Sequence, residues 1–197
     1  MKKILLLTAT PFEVDTMDNK IMGIDIHYTG VGKINAAILT TQLIEKHQPD
    51  VVVNFGSCGT LNSNDEIGKV YEVGDVHNDI DCTPLSEYGE TPFSGLHEIQ
   101  INHSSTIQCI TTDRFYNKNR VDYSENFIHI LKNKIDIIDM ELYSIAQVCK
   151  RKQIPLFSYK WVSDDGNPDE WLTNSKIGFQ NFKDLFLKKH FPNLKPK

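Results

Sequence analysis

Two acidic residues stand where a largely apolar segment gives way to an amphipathic one. Asp139 and Glu141 flank Met140, after the segment IDII and before a stretch with helical periodicity. Acids in the first turn favour a helix, which is a sufficient explanation for either residue taken alone. Two acids at the end of a buried strand nevertheless cost desolvation free energy, unless a bound group beyond the strand interacts with them. This stretch is therefore the first candidate for a functional site.

Other carboxylates follow two further apolar segments. Glu13 comes after KILLLT and Pro11, and Ser163-Asp164 closes the segment IPLFSYKWV. Carboxyl groups can donate a proton to a leaving group or take one from water, so acids that meet in one crevice could carry out acid–base chemistry. Taken separately, each is explained equally well by a turn or a helix cap. The prediction of a site therefore depends on whether the fold brings the acids together.

The elements that would position these acids alternate between strands and helices. Apolar runs predict strands over residues 3–8, 24–30, 51–55, 106–112, 135–139 and 154–165, and helices are predicted over 33–47, 124–133, after 139 and over 176–191. This alternation predicts an α/β fold, a single domain over residues 1–197 with a mainly parallel, twisted central sheet flanked by helices. Ligands bind such sheets beyond the carboxyl ends of the strands, which is where the acids are expected to converge.

Two shorter stretches carry local predictions. GSCG at 56–59 is interpreted as a glycine-rich turn that ends a strand and could offer backbone N–H groups to a bound group. It matches neither a Walker loop nor a dinucleotide-binding fingerprint. In the helix over 33–47, one apolar face is predicted to comprise Ile34, Ala37, Ile38, Thr41 and Ile44.

Composition and charge exclude several classes of protein. The net charge of -5 and the pI near 5.8 give no broad attraction for nucleic acid or anionic lipid, so neither nucleic acid nor a membrane is a predicted partner. The leucine run near Met1 is too short to span a membrane and is soon followed by acids, so we expect a core strand in a cytoplasmic protein. The cysteines form no CxxC pair and the histidines show no HxxxH spacing, so neither a disulfide framework nor a metal site is predicted.

Several motifs resemble, in order, those of a known superfamily of enzymes. They are TATPFEVDTM, GVGKINAAILTTQLIEKHQPDVVVNFGSCGTL, EVGDV, DIDCTPLSEYGETPF, TTDRFY, DMELYSIAQVCKRKQIPLF and WVSDD. The ordered set is similar to the nucleoside phosphorylase and nucleosidase superfamily, and most similar to the 5'-methylthioadenosine/S-adenosylhomocysteine nucleosidases. The resemblance implies a purine salvage enzyme, with no cofactor, that hydrolyses the N-glycosidic bond of a purine nucleoside such as 5'-methylthioadenosine or S-adenosylhomocysteine.

The resemblance also implies roles for the acids. Asp164 would donate a proton toward purine N7, and Glu13 would activate the attacking water, which Ser57 would help to hold near the sugar. These residue types suit the chemistry, because cleavage builds positive charge on the sugar and negative charge on the departing base. By the same resemblance, Lys160 stands where these nucleosidases usually carry an arginine near the water and sugar, and it would contact the substrate. Lysine lacks the planar fork of arginine, so water positioning or substrate preference is expected to differ.

Other residues are expected, by the same resemblance, to bind substrate. Met140 would pack against the sugar and Glu141 would bind the ribose hydroxyls, which leaves Asp139 as a helix cap. Phe115 would stack on the base, and Ser163 would orient the loop that carries the acid. The family commonly forms homodimers, so the segment DIDCTPLSEYGETPF (79–93) is the expected lid and dimer interface.

Three alternatives to this function remain open. A phosphorylase would use phosphate in place of water and would need a cationic pocket, yet the chain has only three arginines. Lys33 and Lys160 keep that alternative open. A futalosine-type hydrolase would share nearly every motif with the nucleosidases. A non-catalytic nucleoside-binding module would result if the two acids did not meet in one pocket.

Overall fold

The computed structural model describes residues 2–93 and 98–192, which form one α/β unit. The strands are β1 (Ile4–Thr8), β2 (Lys20–Ile21), β3 (Ile24–Tyr28), β4 (Val51–Thr60), β5 (Val70–Glu72), β6 (Asp75–Asn78), β7 (Glu98–Gln100), β8 (Gln108–Thr111), β9 (Ile137–Asp139) and β10 (Leu156–Asp164). The helices are a short 3-10 turn (Pro11–Glu13), α1 (Lys33–His47), α2 (Glu125–Lys134), α3 (Leu142–Lys152), α4 (Pro168–Asn174) and α5 (Phe179–His190). Within the described ranges, no helix is both long and apolar enough to cross a membrane.

Strand β4 is the centre of the sheet. It runs parallel to β1 and to β10, and its last two residues, Gly59 and Thr60, pair antiparallel with β9. The sheet order is β2-β3-β1-β4-β9-β8-β6-β7, and β10 pairs with both β4 and β5. Pairs β1–β3, β6–β8 and β8–β9 are also parallel, whereas β2–β3, β5–β10 and β6–β7 are antiparallel. The predicted α/β class is confirmed, with a sheet that is mixed rather than purely parallel.

Helices cover the two faces of the sheet. Because successive side chains of a strand point to opposite faces, Leu5 and Leu7 of β1 pack with residues of α1 and α3, while Leu6 packs in the cluster that contains α5. On that second face, α5 buries three aromatic side chains, Phe179, Phe182 and Phe186. With both faces covered, the carboxyl ends of the strands are left as the place where a ligand can enter.

The predicted turn at GSCG is wrong, because β4 continues through these residues to Thr60. The glycines instead allow two carboxyl groups to approach the strand. A Cβ atom at Gly56 would lie 2.8 Å from Glu13 Oε1, and one at Gly59 would lie 3.2 Å from Asp164 Oδ1. Glycine inside a strand often marks such a close approach.

The predicted apolar face of α1 is wrong at Ile34 and Ile38, and of its other three residues only Ile44 is fully buried. The buried stripe runs through Ala36 and Thr40 to Ile44, whereas Ile34 and Ile38 are 76% and 49% exposed. Small side chains at positions 36 and 40 let α1 pack closely against α3 and β1, and the larger isoleucines then point away from the core.

Helix α4 is an element that the sequence analysis does not predict, because PDEWLTN has no apolar periodicity. Its start is defined by local signals. Asn167 Oδ1 accepts a hydrogen bond from Asp169 N at 3.3 Å, and Pro168 occupies the first turn. The helix packs against β10 and brings Trp171 to the carboxyl edge of the sheet.

Candidate active site

One cavity of about 230 Å³ lies at the carboxyl ends of β1, β8, β9 and β10 and beside the end of β4. It brings together seven of the eight predicted site residues, namely Glu13, Ser57, Phe115, Met140, Glu141, Ser163 and Asp164. A larger depression of about 650 Å³ lies near the amino ends of β1 and β3, and none of the predicted site residues lines it. The smaller cavity is therefore the candidate active site, since it holds the convergent polar groups.

The first part of the cavity, which we call the Glu13 end, comprises Glu13, Ser57, Met140 and Glu141. Glu13 is buried and belongs to the 3-10 turn after β1. Its Oε1 accepts hydrogen bonds from Ser57 N and Ser57 Oγ, both at 2.7 Å, and its Oε2 accepts from Thr8 Oγ1 at 2.8 Å. Donors on both oxygens suit a carboxylate, which is an acceptor only. This geometry fixes the Glu13 carboxylate on the cavity wall.

Glu141 is the second carboxyl group at the Glu13 end. Its Oε1 accepts a hydrogen bond from Gly32 N at 2.9 Å, which ties it to the turn before α1. Burial and, after it, the charge of Asp139 raise the pKa of Glu141 to about 8, while Lys160 and the Gly32 N–H act in the opposite direction. Glu141 can therefore change its charge near neutral pH. Met140, beside it, lines the cavity.

Lys160, predicted to contact the substrate, does not line the cavity and lies behind its wall. Its Nζ forms an ion pair with Asp139 Oδ2 at 2.8 Å, and both side chains are almost completely buried. Burial alone would lower the pKa of Lys160, but the nearby carboxylates of Asp139, Glu141 and Glu13 raise it above its ordinary value. The lysine is therefore charged, and it acts on the Glu13 end through its field rather than by contact.

Asp139 also fits the helix-cap role that the sequence analysis gave it. Its Oδ2 accepts a hydrogen bond from Leu142 N in the first turn of α3 at 2.8 Å. Its Oδ1 accepts from Thr111 Oγ1 at 2.6 Å, which joins the ends of β8 and β9. Asp139 thus satisfies a helix start and a buried lysine together, and it lines part of the cavity wall.

Another part of the cavity, which we call the Asp164 end, comprises Ser163 and Asp164, and Asp164 lies beside Gly59 of β4 whereas Glu13 lies beside Gly56. Asp164 is 1% exposed, and its Oδ2 and Oδ1 lie 2.8 Å from Ser163 Oγ and 3.0 Å from Gly166 N, both hydrogen-bond donors. Burial raises the pKa of Asp164, the hydrogen bonds from Gly166 and Ser163 oppose that rise, and two acidic neighbours, Glu170 and Asp165, add to it. A buried carboxyl with a raised pKa is suited to donate a proton.

Trp171 lines the cavity, although the sequence analysis does not predict it as a site residue. Its ring makes edge contacts with Phe115 and Phe12, with centroid separations of 6.3 and 6.4 Å. Its Nε1 donates a hydrogen bond to Ser57 Oγ at 2.9 Å. The Asn-Pro pair before it is a helix-start signal that could have indicated α4, but nothing in the sequence indicates that this helix reaches Ser57.

The side chains that line the cavity can carry out acid–base chemistry. The cavity lining holds the Glu13 carboxyl group with the Ser57 hydroxyl, the buried acid Asp164, and the apolar surface of Phe115, Met140 and Trp171. Among residues 2–93 and 98–192, no group of three or more His, Cys, Asp or Glu side chains is placed to hold a metal. The cavity lining in these ranges also contains no lysine or arginine.

Comparisons with known proteins identify relatives. A family model described as the phosphorylase superfamily matches residues 24–188. A 5'-methylthioadenosine/S-adenosylhomocysteine nucleosidase from an Exiguobacterium strain is 30% identical over an alignment 177 residues long, and the match covers 79% of this chain and 76% of that relative.

Solved structures share the fold. The 5'-methylthioadenosine/S-adenosylhomocysteine nucleosidase from Neisseria meningitidis, in complex with methylthio-immucillin-A, matches with a TM-score of 0.78 at 19% identity, covering 94% of this chain and 96% of that one. Futalosine hydrolase of Helicobacter pylori matches with a TM-score of 0.80 at 19% identity, covering 98% of each chain. At these identities the likeness concerns the fold alone, and it does not distinguish between the two substrates.

Proposed function

Since the chain belongs to the phosphorylase superfamily, we propose that it is a nucleosidase that hydrolyses the N-glycosidic bond of a purine nucleoside such as 5'-methylthioadenosine or S-adenosylhomocysteine. The products are the free base and the free sugar. The observation that supports this function most strongly is that Glu13 with Ser57 and the buried Asp164 face the same cavity. The 30% identity to a named nucleosidase supports the same reaction.

The reaction divides between the two ends of the cavity. As the bond between the sugar and the base nitrogen breaks, its electron pair passes to the base, and Asp164 donates a proton to N7 of that base. A water molecule attacks the sugar carbon that the base leaves, and Glu13 takes a proton from that water while Ser57 holds the carboxylate in place. The two carboxyl groups thereby act where opposite charges develop.

The remaining residues bind and orient the nucleoside. Glu141 accepts hydrogen bonds from the ribose hydroxyls, and Met140 packs against the sugar. Phe115 stacks on the base, since aromatic rings stack well on flat heterocycles. Ser163 orients Asp164 through the 2.8 Å hydrogen bond between their side chains. Lys160 does not contact the nucleoside. It is held by its ion pair with Asp139, and its charge acts on the carboxyl groups of the Glu13 end.

Water rather than phosphate is the nucleophile. A phosphate pocket needs cationic side chains, and the cavity lining within the described residues has none. Lys33, which could have supplied a charge, is occupied, because its Nζ bonds to Asn78 Oδ1 at 2.9 Å and pairs with Asp113 at 3.0 Å.

The test is product analysis of the purified protein with 5'-methylthioadenosine, S-adenosylhomocysteine, adenosine, inosine and futalosine, each with and without phosphate. We expect free base and free sugar in the absence of phosphate, with the 5'-thio nucleosides hydrolysed fastest. A parallel preparation of the Asp164→Asn variant controls for contaminating nucleosidase. A strict need for phosphate, with a sugar 1-phosphate product, would make the protein a phosphorylase. The absence of turnover on every substrate would favour the binding module.

Two copies of the chain form a homodimer through the segment 79–93. In support, Leu85 and Phe93 of that segment are 75% and 104% exposed, although both are large and apolar. Tyr88 anchors the segment to its own chain by packing against the buried cluster that contains Ile110 and Phe127. Light scattering should give twice the chain mass, and a monomer at micromolar concentration would rule out the dimer.

A further inference from the structure

Trp171 reaches the Glu13 end through two consecutive hydrogen bonds. Its Nε1 donates to Ser57 Oγ at 2.9 Å, and Ser57 Oγ lies 2.7 Å from Glu13 Oε1. An indole N–H can only donate a hydrogen bond, and an ionised carboxylate can only accept one. The Ser57 hydroxyl must therefore accept from Trp171 and direct its one proton to Glu13.

We propose that Trp171 is a positioning residue that fixes the direction of the Ser57 hydroxyl and, through it, the Glu13 carboxylate that activates water. This inference rests on the proposed nucleosidase function. Without the indole N–H, the hydroxyl can rotate and donate to the water or to the substrate instead. Glu13 Oε1 would then keep only the hydrogen bond from Ser57 N, at 2.7 Å, and the carboxylate would be held less firmly.

The rest of α4 and its end hold the indole in place. Asn174 Nδ2 donates to Ser163 O at 3.0 Å, and Ser175 Oγ donates to Phe12 O at 3.1 Å. The ring of the tryptophan also lies between those of Phe12 and Phe115, with which it makes edge contacts. Hydrogen bonds thus join this short segment to the end of β10, which carries Asp164, and to the 3-10 turn, which carries Glu13. These bonds hold the indole of Trp171 in a fixed position.

A double-mutant cycle between Trp171 and Ser57 tests the inference. Trp171→Phe keeps an aromatic ring and removes the N–H, and Ser57→Ala removes the hydroxyl. If Trp171 acts through Ser57, each single variant should lower kcat roughly tenfold, and the double variant should also lower it by roughly tenfold rather than a hundredfold. Leu172→Ala, on the same helix and 72% exposed, is the matched control and should leave kcat unchanged.

Additive losses, or a Trp171→Phe variant with wild-type kcat, would overturn the inference while leaving the nucleosidase function intact. A wild-type protein with no hydrolase activity would instead remove the proposed function, and the role of Trp171 with it. A fall in activity caused only by weaker substrate binding would appear in KM rather than in kcat, and it would also overturn the inference.

NMR of the indole N–H groups gives a second readout that does not depend on activity. The chain has two tryptophans, and the N–H of the other one, Trp161, donates to Ser175 O at 2.8 Å. In Ser57→Ala, the Trp171 indole resonance should move upfield because it loses its acceptor, while that of Trp161 should stay in place. An unmoved Trp171 resonance would show that the hydrogen bond to Ser57 does not form in solution, and the inference would fail.

Discussion

The Glu13 end and the Asp164 end of the cavity both bury carboxyl groups, but in different electrostatic surroundings. Behind the Glu13 end, Lys160 forms a buried ion pair with Asp139 at 2.8 Å. At the Asp164 end, the hydrogen-bond donors are the neutral Ser163 hydroxyl and Gly166 N–H, and the charges that act on the carboxyl come from acids. A buried cation favours ionised carboxylates, whereas burial and acidic neighbours raise the pKa of Asp164 against the opposing effect of its two neutral donors. The two ends of the cavity therefore differ in the charges that act on their buried carboxyl groups.

Removing the buried cation should have the largest effect on stability. Lys160→Met would leave the Asp139 charge buried and unpaired, so we expect the free energy of unfolding to fall by about 3–5 kcal/mol. Lys118 provides the comparison at the Asp164 end, because its ion pair with Asp165 is exposed. Lys118→Met should leave the free energy of unfolding almost unchanged, because exposed ion pairs contribute little to stability. Urea denaturation of both variants measures the difference.

A further substitution separates lost charge pairing from lost packing. If the stranded charge causes the loss, Asp139→Asn added to Lys160→Met should recover part of the stability. Equal, small losses in Lys160→Met and Lys118→Met would contradict the contrast between the two ends.

Glu141 provides a smaller test, through the pH dependence of stability. Its pKa is raised from 4.5 to about 8 in the folded protein. A group whose pKa is raised on folding contributes most stability below its unfolded pKa, and that contribution is lost as the pH rises through the folded pKa. The free energy of unfolding should therefore fall between pH 5 and pH 8, by about 1–3 kcal/mol more in the wild type than in Glu141→Gln.

Urea denaturation at pH 5, 6.5 and 8 gives these values for both proteins. Gln has the shape of a protonated Glu and does not titrate, so it isolates the contribution of this one carboxyl group. Parallel curves for the wild type and Glu141→Gln would mean that Glu141 is ionised over this whole range, and that the charge of Lys160 outweighs the effect of burial on this carboxyl group.

The sequence predicts the fold class well, because strands and helices carry regular patterns. The strands that end in Asp139 and Asp164 and the rule that ligands bind at carboxyl ends were enough to predict a shared crevice. The structure differs from the prediction where one residue type can have two structural roles. Gly56 and Gly59 were interpreted as turn residues, yet they make room for Glu13 and Asp164 along a strand. A glycine does not reveal what approaches it.

The position of Lys160 and the role of α4 could not be predicted for a related reason. Lys160 lies inside β10, where successive side chains alternate between opposite faces of the sheet. Its side chain forms an ion pair with Asp139 and therefore does not line the cavity. Helix α4 is short and polar, so only its cap residues indicate it. The hydrogen bond from Trp171 to Ser57 joins residues 114 positions apart, and such contacts depend on tertiary packing that no local pattern encodes.

The division of labour between the two ends is tested most directly with a nucleoside whose base needs no proton. A purine methylated at N7 already carries the positive charge that Asp164 would supply. On the ordinary nucleoside, Asp164→Asn and Glu13→Gln should each lower kcat about 10²–10⁴-fold. On the N7-methyl nucleoside, Asp164→Asn should recover to within about tenfold of the wild type, while Glu13→Gln should stay slow. Failure of methylation to rescue Asp164→Asn, or equal rescue of both variants, would contradict the assignment of acid and base to the two ends of the cavity.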